Sequence, residues 1–160
     1  MKTILLITSI LITSVCYGQR INIKGTNWNK TFQASDISNA GSDYNAFYES
    51  SSNQHRITFT SKPKNNYTNN YAIFALSIHK EDINWHPNLN LEVKRTGGST
   101  NGHTLYYGDY YRTVTNNSSL FLYSRGNVKN IPIQYKISGI SVLLPAENYT
   151  TRIVYTIMNY

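Results

Sequence analysis

Short runs of alternating apolar and polar side chains follow residue 18, and this two-residue period most constrains what the chain can fold into. In Arg56–Thr60, Leu89–Lys94 and Ile131–Ile137, every second side chain is apolar. Successive side chains of a β-strand point to opposite faces, so such a run has one buried face and one solvated face. No segment carries the longer period of an amphipathic helix. The sequence therefore predicts an all-β protein.

The spacing of the runs indicates how the strands are arranged. Further strands are expected at Tyr71–Lys80, which would be central and covered on both faces, and near Leu120–Tyr123 and Ile153–Ile157. Turn-forming residues separate the runs at intervals of about 8–12 residues, as in sandwiches and barrels. The turns are Pro63–Asn66, His86–Asn88, Gly97–Ser99, Asn116–Asn117 and Gly126–Asn127. We predict a single antiparallel β-sandwich domain over residues 19–160, with Ala34–Gln54 as a long loop carrying at most one short strand.

The first 18 residues have the layout of a secretory signal peptide. Lys2 precedes an apolar run from Ile4 to Val15, and the small residue Gly18 comes just before Gln19. The run is shorter than the roughly 20 apolar residues of a membrane-spanning helix. We expect cleavage after Gly18 and a secreted mature protein, extracellular or at the cell surface, with the periplasm as the alternative and no transmembrane span.

The single cysteine, Cys16, leaves a second interpretation open, because lipoprotein signals also end at a cysteine. Thr13 and Val15 stand where such signals usually carry an aliphatic and a small residue, so ordinary cleavage is favoured. That cleavage removes Cys16, and the mature domain then has no disulfide, unlike many small secreted scaffolds. Its hydrophobic core must hold the fold, which is feasible because a chain of roughly 140 residues buries about two-thirds of its unfolded surface.

The basic charge does not indicate nucleic-acid binding. The formal net charge is +7, and it becomes +6 when Lys2 leaves with the signal peptide. Nucleic-acid binding requires clustered basic residues, whereas Lys94–Arg95 is the only adjacent basic pair in this chain. We therefore expect no nucleic-acid partner and a weakly charged surface rich in Asn, Ser, Thr and Tyr.

No catalytic or metal-binding pattern stands out in the sequence. The histidines lack the close spacing of paired metal ligands, no Gly-x-Ser-x-Gly elbow is present, and the mature chain has no thiol. The carboxylates are few, and the adjacent pair Glu81–Asp82 would point to opposite faces of a strand. We therefore expect no enzyme, no cofactor and no metal. The four histidines are His55, His79, His86 and His103.

The segment Leu105–Tyr111 is unusually rich in tyrosine. An exposed tyrosine offers a flat apolar face with a polar tip, which suits sugar stacking and protein contacts. On a strand, one residue of each adjacent pair would instead enter the core, yet every second tyrosine would still share one face. The candidate ligand-binding residues are Tyr106, Tyr107, Tyr110 and Tyr111.

Two stretches of the second half resemble small secreted bacterial β-sandwich proteins. Asn84–Gly97 is similar to a strand-turn pattern with Trp, alternating Leu and Val, and Arg-Thr-Gly. Ile131–Ile137 and Leu144–Ile157 resemble the closing strands of pilin-like and spore-coat-U-like domains, with Glu147 where their turn usually has Gly. The resemblance covers residues 84–157 and implies an Ig-like or pilin-like sandwich and a surface subunit.

Two functions of different classes remain open. The first is a secreted bacterial surface protein, a structural or adhesive pilin-like subunit without catalytic activity, which would self-assemble or bind other surface proteins through strand pairing. The second is a carbohydrate-binding module whose surface tyrosines bind glycans. A monomer with a tyrosine-lined site would favour the second function, and a concentration-dependent polymer would favour the first.

Overall fold

The computed structural model describes residues 19–37, 43–61 and 73–159. The expected signal peptide, the Pro63–Asn66 turn and the start of the run at Tyr71 lie outside these ranges. The described residues form ten strands and a short 3-10 turn at Ala34–Asp36. The strands are β1 Gln19–Gly25, β2 Phe47–Glu49, β3 His55–Ser61, β4 Ile73–Asn84, β5 Asn90–Arg95, β6 Leu105–Tyr106, β7 Arg112–Thr113, β8 Ser119–Arg125, β9 Val128–Ser138 and β10 Thr150–Asn159.

The strands form two antiparallel sheets that pack face to face, which confirms the predicted all-β sandwich. The six-stranded sheet has the order β1-β3-β9-β5-β7, with β2 also paired to β9. The four-stranded sheet has the order β10-β4-β8-β6. The expected central strand is confirmed as β4, which lies between β10 and β8 and has five consecutive buried residues, Phe74–Ile78.

The buried faces are those that the alternating runs predict. In the six-stranded sheet every second side chain of β3, β5 and β9 enters the core, and the four-stranded sheet contributes from β4 and β8. Burial of a large apolar side chain stabilises a fold by about 1.5–3 kcal/mol, so this set dominates the stability. The core includes Ile57, Phe59, Phe74, Leu76, Ile78, Leu91, Val93, Phe121, Leu122, Ile131, Ile133 and Tyr135.

A chain of hydrogen-bonded polar side chains crosses the core between the two sheets. The Tyr135 hydroxyl of β9 lies 2.8 Å from Nδ1 of His55 on β3 and 3.0 Å from the Tyr155 hydroxyl of β10. The Trp28 ring stacks on Tyr135. Burial raises the pKa of Tyr155 and raises that of Tyr135 to about 12, and it lowers the pKa of His55. Hydrogen bonds thus satisfy polar groups that the core would otherwise leave without partners.

The expectation for the loop before β3 is confirmed by the described residues. The described part of Ala34–Gln54 carries only the 3-10 turn and the three-residue strand β2. Trp85 packs against the core, and its indole nitrogen donates to the carbonyl oxygen of Leu89 at 3.0 Å.

The last strand, β10, lies at a sheet edge. It pairs with β4, and within the described ranges no strand covers its other edge. Ile153, Tyr155 and Ile157 pack against the core, whereas Thr156 and Met158 are exposed. The strand expected near Ile153–Ile157 is confirmed, and it has a core face and an outer face. β1 is likewise an edge strand, paired to β3.

Candidate functional site

The tyrosine-rich segment connects the two sheets along one side of the sandwich. β6 pairs with β8 in the four-stranded sheet, and β7 pairs with β5 in the six-stranded sheet. Residues 107–111 therefore cross from one sheet to the other. Leu105 packs against the core beneath this crossing and anchors its start.

The expected alternation along this segment is wrong, because most of it is a turn and not a strand. β6 ends at Tyr106, and the next two residues adopt left-handed backbone conformations, with φ 66° at Tyr107 and 77° at Gly108. A left-handed residue reverses the chain direction and ends the two-residue period. The tyrosines therefore do not form one row along the face of a strand. Three of the four, Tyr106, Tyr107 and Tyr110, are exposed at the surface.

Tyr106, Tyr107 and Tyr110 are the exposed members of the segment. Their exposed fractions are 51%, 58% and 82%. Tyr106 stands opposite Tyr123 of β8, and the Tyr107 ring lies 6.0 Å from the Tyr123 ring. These side chains present aromatic faces to solvent on a backbone that both sheets hold in place, which suits stacking on a ligand.

Tyr111 has a different environment and acts as an anchor. The ammonium groups of Lys94 and Lys136 each lie 4.3 Å from the centre of its ring, within the range of cation–π attraction. Its hydroxyl is buried and lacks a well-formed hydrogen bond within the described ranges, although Glu49 lies on that side. Burial, with the nearby carboxylates of Glu49 and Glu92, raises the pKa of Tyr111 well above its usual value.

An ion pair of the six-stranded sheet holds Lys136 beside Tyr111. Lys136 of β9 forms an ion pair with Glu92 of β5 at 2.7 Å, and the two residues are directly paired across the strands. Neighbouring Gln134 donates to the backbone carbonyl oxygen of Ser50 at 3.0 Å. Both side chains of the ion pair are largely covered, so the pair is screened less than a fully exposed one.

Arg95, the last residue of β5, holds the turn that carries Tyr107. Its Nε donates to the backbone carbonyl oxygen of Tyr107 at 2.6 Å, and its backbone N–H donates to the carbonyl oxygen of Gly108 at 2.6 Å. Its guanidinium also donates to the carbonyl oxygen of Gly97 and lies 3.9 Å from the Asp109 carboxylate. These contacts fix the left-handed turn at several points.

A shallow depression of about 360 Å³ lies beside this turn. It is lined by the end of β5, by the residues that follow and by one residue of the tyrosine segment. This lining brings two cations, one carboxylate and two glycines together next to the exposed tyrosines. The lining residues are Lys94, Arg95, Thr96, Gly97, Gly98 and Asp109.

No metal centre is found in the part of the chain that the structure describes. Within residues 19–37, 43–61 and 73–159, no three His, Cys, Asp or Glu side chains come together as ligands. His55 belongs to the polar chain of the core, and His103 packs against Gly126, where an added Cβ would lie 2.8 Å from its Nδ1.

Comparison with family models, curated proteins and solved structures found no match to this chain. The resemblance to pilin-like and spore-coat-U-like domains therefore stays a prediction. Among the described residues, no helix is long and apolar enough to cross a membrane.

Sequence reasoning missed Arg95 and the depression. The signal that could have found them is the only adjacent basic pair, Lys94–Arg95, followed closely by Gly97–Gly98. Glycines after a strand leave the backbone uncovered, and a cation at the end of that strand, here Arg95, can meet a ligand there.

Proposed function

We propose that the protein is an exported, non-catalytic adhesive module of the bacterial surface that binds glycans through its tyrosine-rich turn. The signal-peptide pattern of residues 1–18 supports export. The absence of catalytic sequence patterns favours binding over catalysis.

The observation that carries the proposal is the exposure of Tyr106, Tyr107 and Tyr110 on a fixed turn. Large aromatic side chains usually bury most of their surface, whereas each of these leaves at least half exposed. The backbone between them is held by hydrogen bonds from Arg95 and by strand pairing at both ends. A rigid aromatic surface loses little conformational entropy when a sugar ring stacks on it.

A glycan array with single alanine variants tests this proposal. We expect Tyr107→Ala and Tyr110→Ala to weaken binding by about 2 kcal/mol, roughly 30-fold, as at an aromatic hot spot. Phe47→Ala is the matched control, since Phe47 is an aromatic residue of β2 with 54% exposure outside the turn. Binding that survives alanine at Tyr106, Tyr107 and Tyr110 would exclude this site, and an array without any ligand would argue against the function.

Strand edges favour a second candidate function, that of a structural subunit. The outer edges of β1 and β10 have no strand partner within the described ranges, and such edges can pair with another chain. Partners of this kind would be further copies of the protein or other surface proteins, bound by strand addition.

Size-exclusion chromatography and electron microscopy of the mature protein separate the two candidates. A protein that stays monomeric as its concentration rises supports the glycan-binding module. Fibres or a concentration-dependent polymer support the structural subunit.

A further inference from the structure

We propose that the depression beside the tyrosines binds the acidic group of an anionic glycan, a carboxylate or a sulfate. This inference rests on the glycan binding proposed above and names the ligand class of the same site. Lys94 and Arg95 both line the depression, and among the residues that the structure describes Asp109 is the only acidic one that does so. The lining therefore has an excess of one positive charge, in a protein whose overall charge is also positive.

Unused hydrogen-bond donors meet at this place. The amide groups of Gly97 and Gly98 have no acceptor among residues 19–37, 43–61 and 73–159. The guanidinium of Arg95 donates to two backbone carbonyl oxygens, of Tyr107 and Gly97, and so keeps N–H groups for a ligand. Its 3.9 Å separation from Asp109 is too long for a hydrogen bond. An anion with several acceptor oxygens would satisfy these donors, and charge-assisted hydrogen bonds of this kind are strong.

The size and surroundings of the depression suit one acidic sugar unit. Its volume of about 360 Å³ is at the lower end of the range for small-molecule sites. Tyr107 accepts a hydrogen bond from Arg95 through its backbone, and Tyr110 directly follows Asp109. A sugar ring stacked on these tyrosines would bring its charged substituent next to the Arg95 guanidinium.

Substitution of Asp109 is expected to strengthen binding, and a variant that fails to fold cannot produce that result. The Asp109 carboxylate is half exposed and repels an anion in the depression. Asp109→Asn removes this repulsion and should tighten binding of an acidic glycan about fivefold, the effect of one like charge a few ångströms away in a solvated site. Glu147→Gln is the matched control, because it changes the net charge equally at an exposed residue that does not line the depression.

Two pairs of probes separate the possible acidic groups. One pair is a polygalacturonate oligosaccharide and its methyl ester, and the other is a sulfated galactan oligosaccharide and its desulfated form. Affinity is measured by calorimetry for the native protein, Asp109→Asn and Glu147→Gln at two salt concentrations. We expect the acidic member of at least one pair to bind about tenfold more tightly than its neutral partner, with affinity falling as salt rises.

Each result supports or overturns the proposal. Preference for the carboxylated or the sulfated probe, strengthened by Asp109→Asn and unchanged by Glu147→Gln, supports it and identifies the acidic group. Equal binding of acidic and neutral members overturns the proposal but leaves glycan binding intact. Binding of none of the four probes also overturns it, and the glycan array then decides separately whether the proposed function stands.

Discussion

Tyr135 holds the centre of the hydrogen-bonded chain between the sheets, and its substitution should cost more stability than substitution at an end. Tyr135→Phe removes the hydrogen bonds to His55 and to Tyr155 at once. Each polar group left without a partner in a buried site costs about 1–3 kcal/mol. Because His55 is only half buried, we expect the free energy of unfolding to fall by about 2–4 kcal/mol.

Tyr155→Phe removes only one end of the same chain. Tyr135 keeps its hydrogen bond to His55, so the loss should be that of one ordinary hydrogen bond, about 0.5–1.5 kcal/mol. Combining the two substitutions removes the second hydroxyl as well and should cost no more than Tyr135→Phe alone.

Urea unfolding followed by tryptophan fluorescence measures these losses, since Trp28 stacks on Tyr135 and reports on its surroundings. When the slope of unfolding free energy against urea concentration is the same for all variants, the urea midpoints give the differences in unfolding free energy. Equal losses for the two single variants, or a loss below about 0.5 kcal/mol for Tyr135→Phe, would refute the reasoning that Tyr135 joins both partners.

Three further predictions concern stability. A chain ending at Asn148 lacks β10 and its core-facing side chains, so we expect it to be unfolded or to polymerise by circular dichroism and chromatography, and an unchanged monomer would contradict this. Gly139→Ala should be strongly destabilising in thermal melts, because φ is +83° and an added Cβ would lie 1.9 Å from the Asn88 carbonyl oxygen, whereas Gly98→Ala has open space and should melt normally. Burial lowers the pKa of His55, so the unfolded chain takes up its proton first and stability should fall as the pH drops below about 6.5. The His55→Gln variant should lack this part of the pH dependence. Identical profiles of stability against pH for the native protein and the variant would contradict the role of His55.

Local pattern predicts most strands of this protein because, apart from the central strand β4, they meet the core with one face. In β5, Leu91 and Val93 are buried while the residues that follow each of them, Glu92 and Lys94, are partly exposed, which is the alternation that the sequence displays. The same rule fails for Tyr107–Tyr111, where a left-handed turn interrupts the strand geometry. A run of tyrosines contains no local signal for that turn beyond Gly108.

Contacts between distant segments could not be derived from the sequence. The Arg95 side chain meets the Tyr107 carbonyl oxygen because the segment that follows β6 crosses from the four-stranded sheet to pair with β5. The partners of β4, which are β8 and β10, likewise depend on the packing of the whole domain and not on the sequence of β4. The three members of the polar core chain, His55, Tyr135 and Tyr155, lie on three strands for the same reason.

The order of the strands along the chain has a consequence for how the protein acquires its fold. β9 and β10 come last, yet β9 pairs with β2, β3 and β5, and β10 pairs with β4. Before β9 and β10 have been made, the six-stranded sheet lacks the strand that joins β3 to β5, and the four-stranded sheet lacks the second neighbour of β4. Pairings between such distant segments form slowly, on a scale of about milliseconds to seconds. A chain that has not yet gained β9 and β10 therefore cannot complete either sheet, which would suit passage through a membrane channel during the export that we propose.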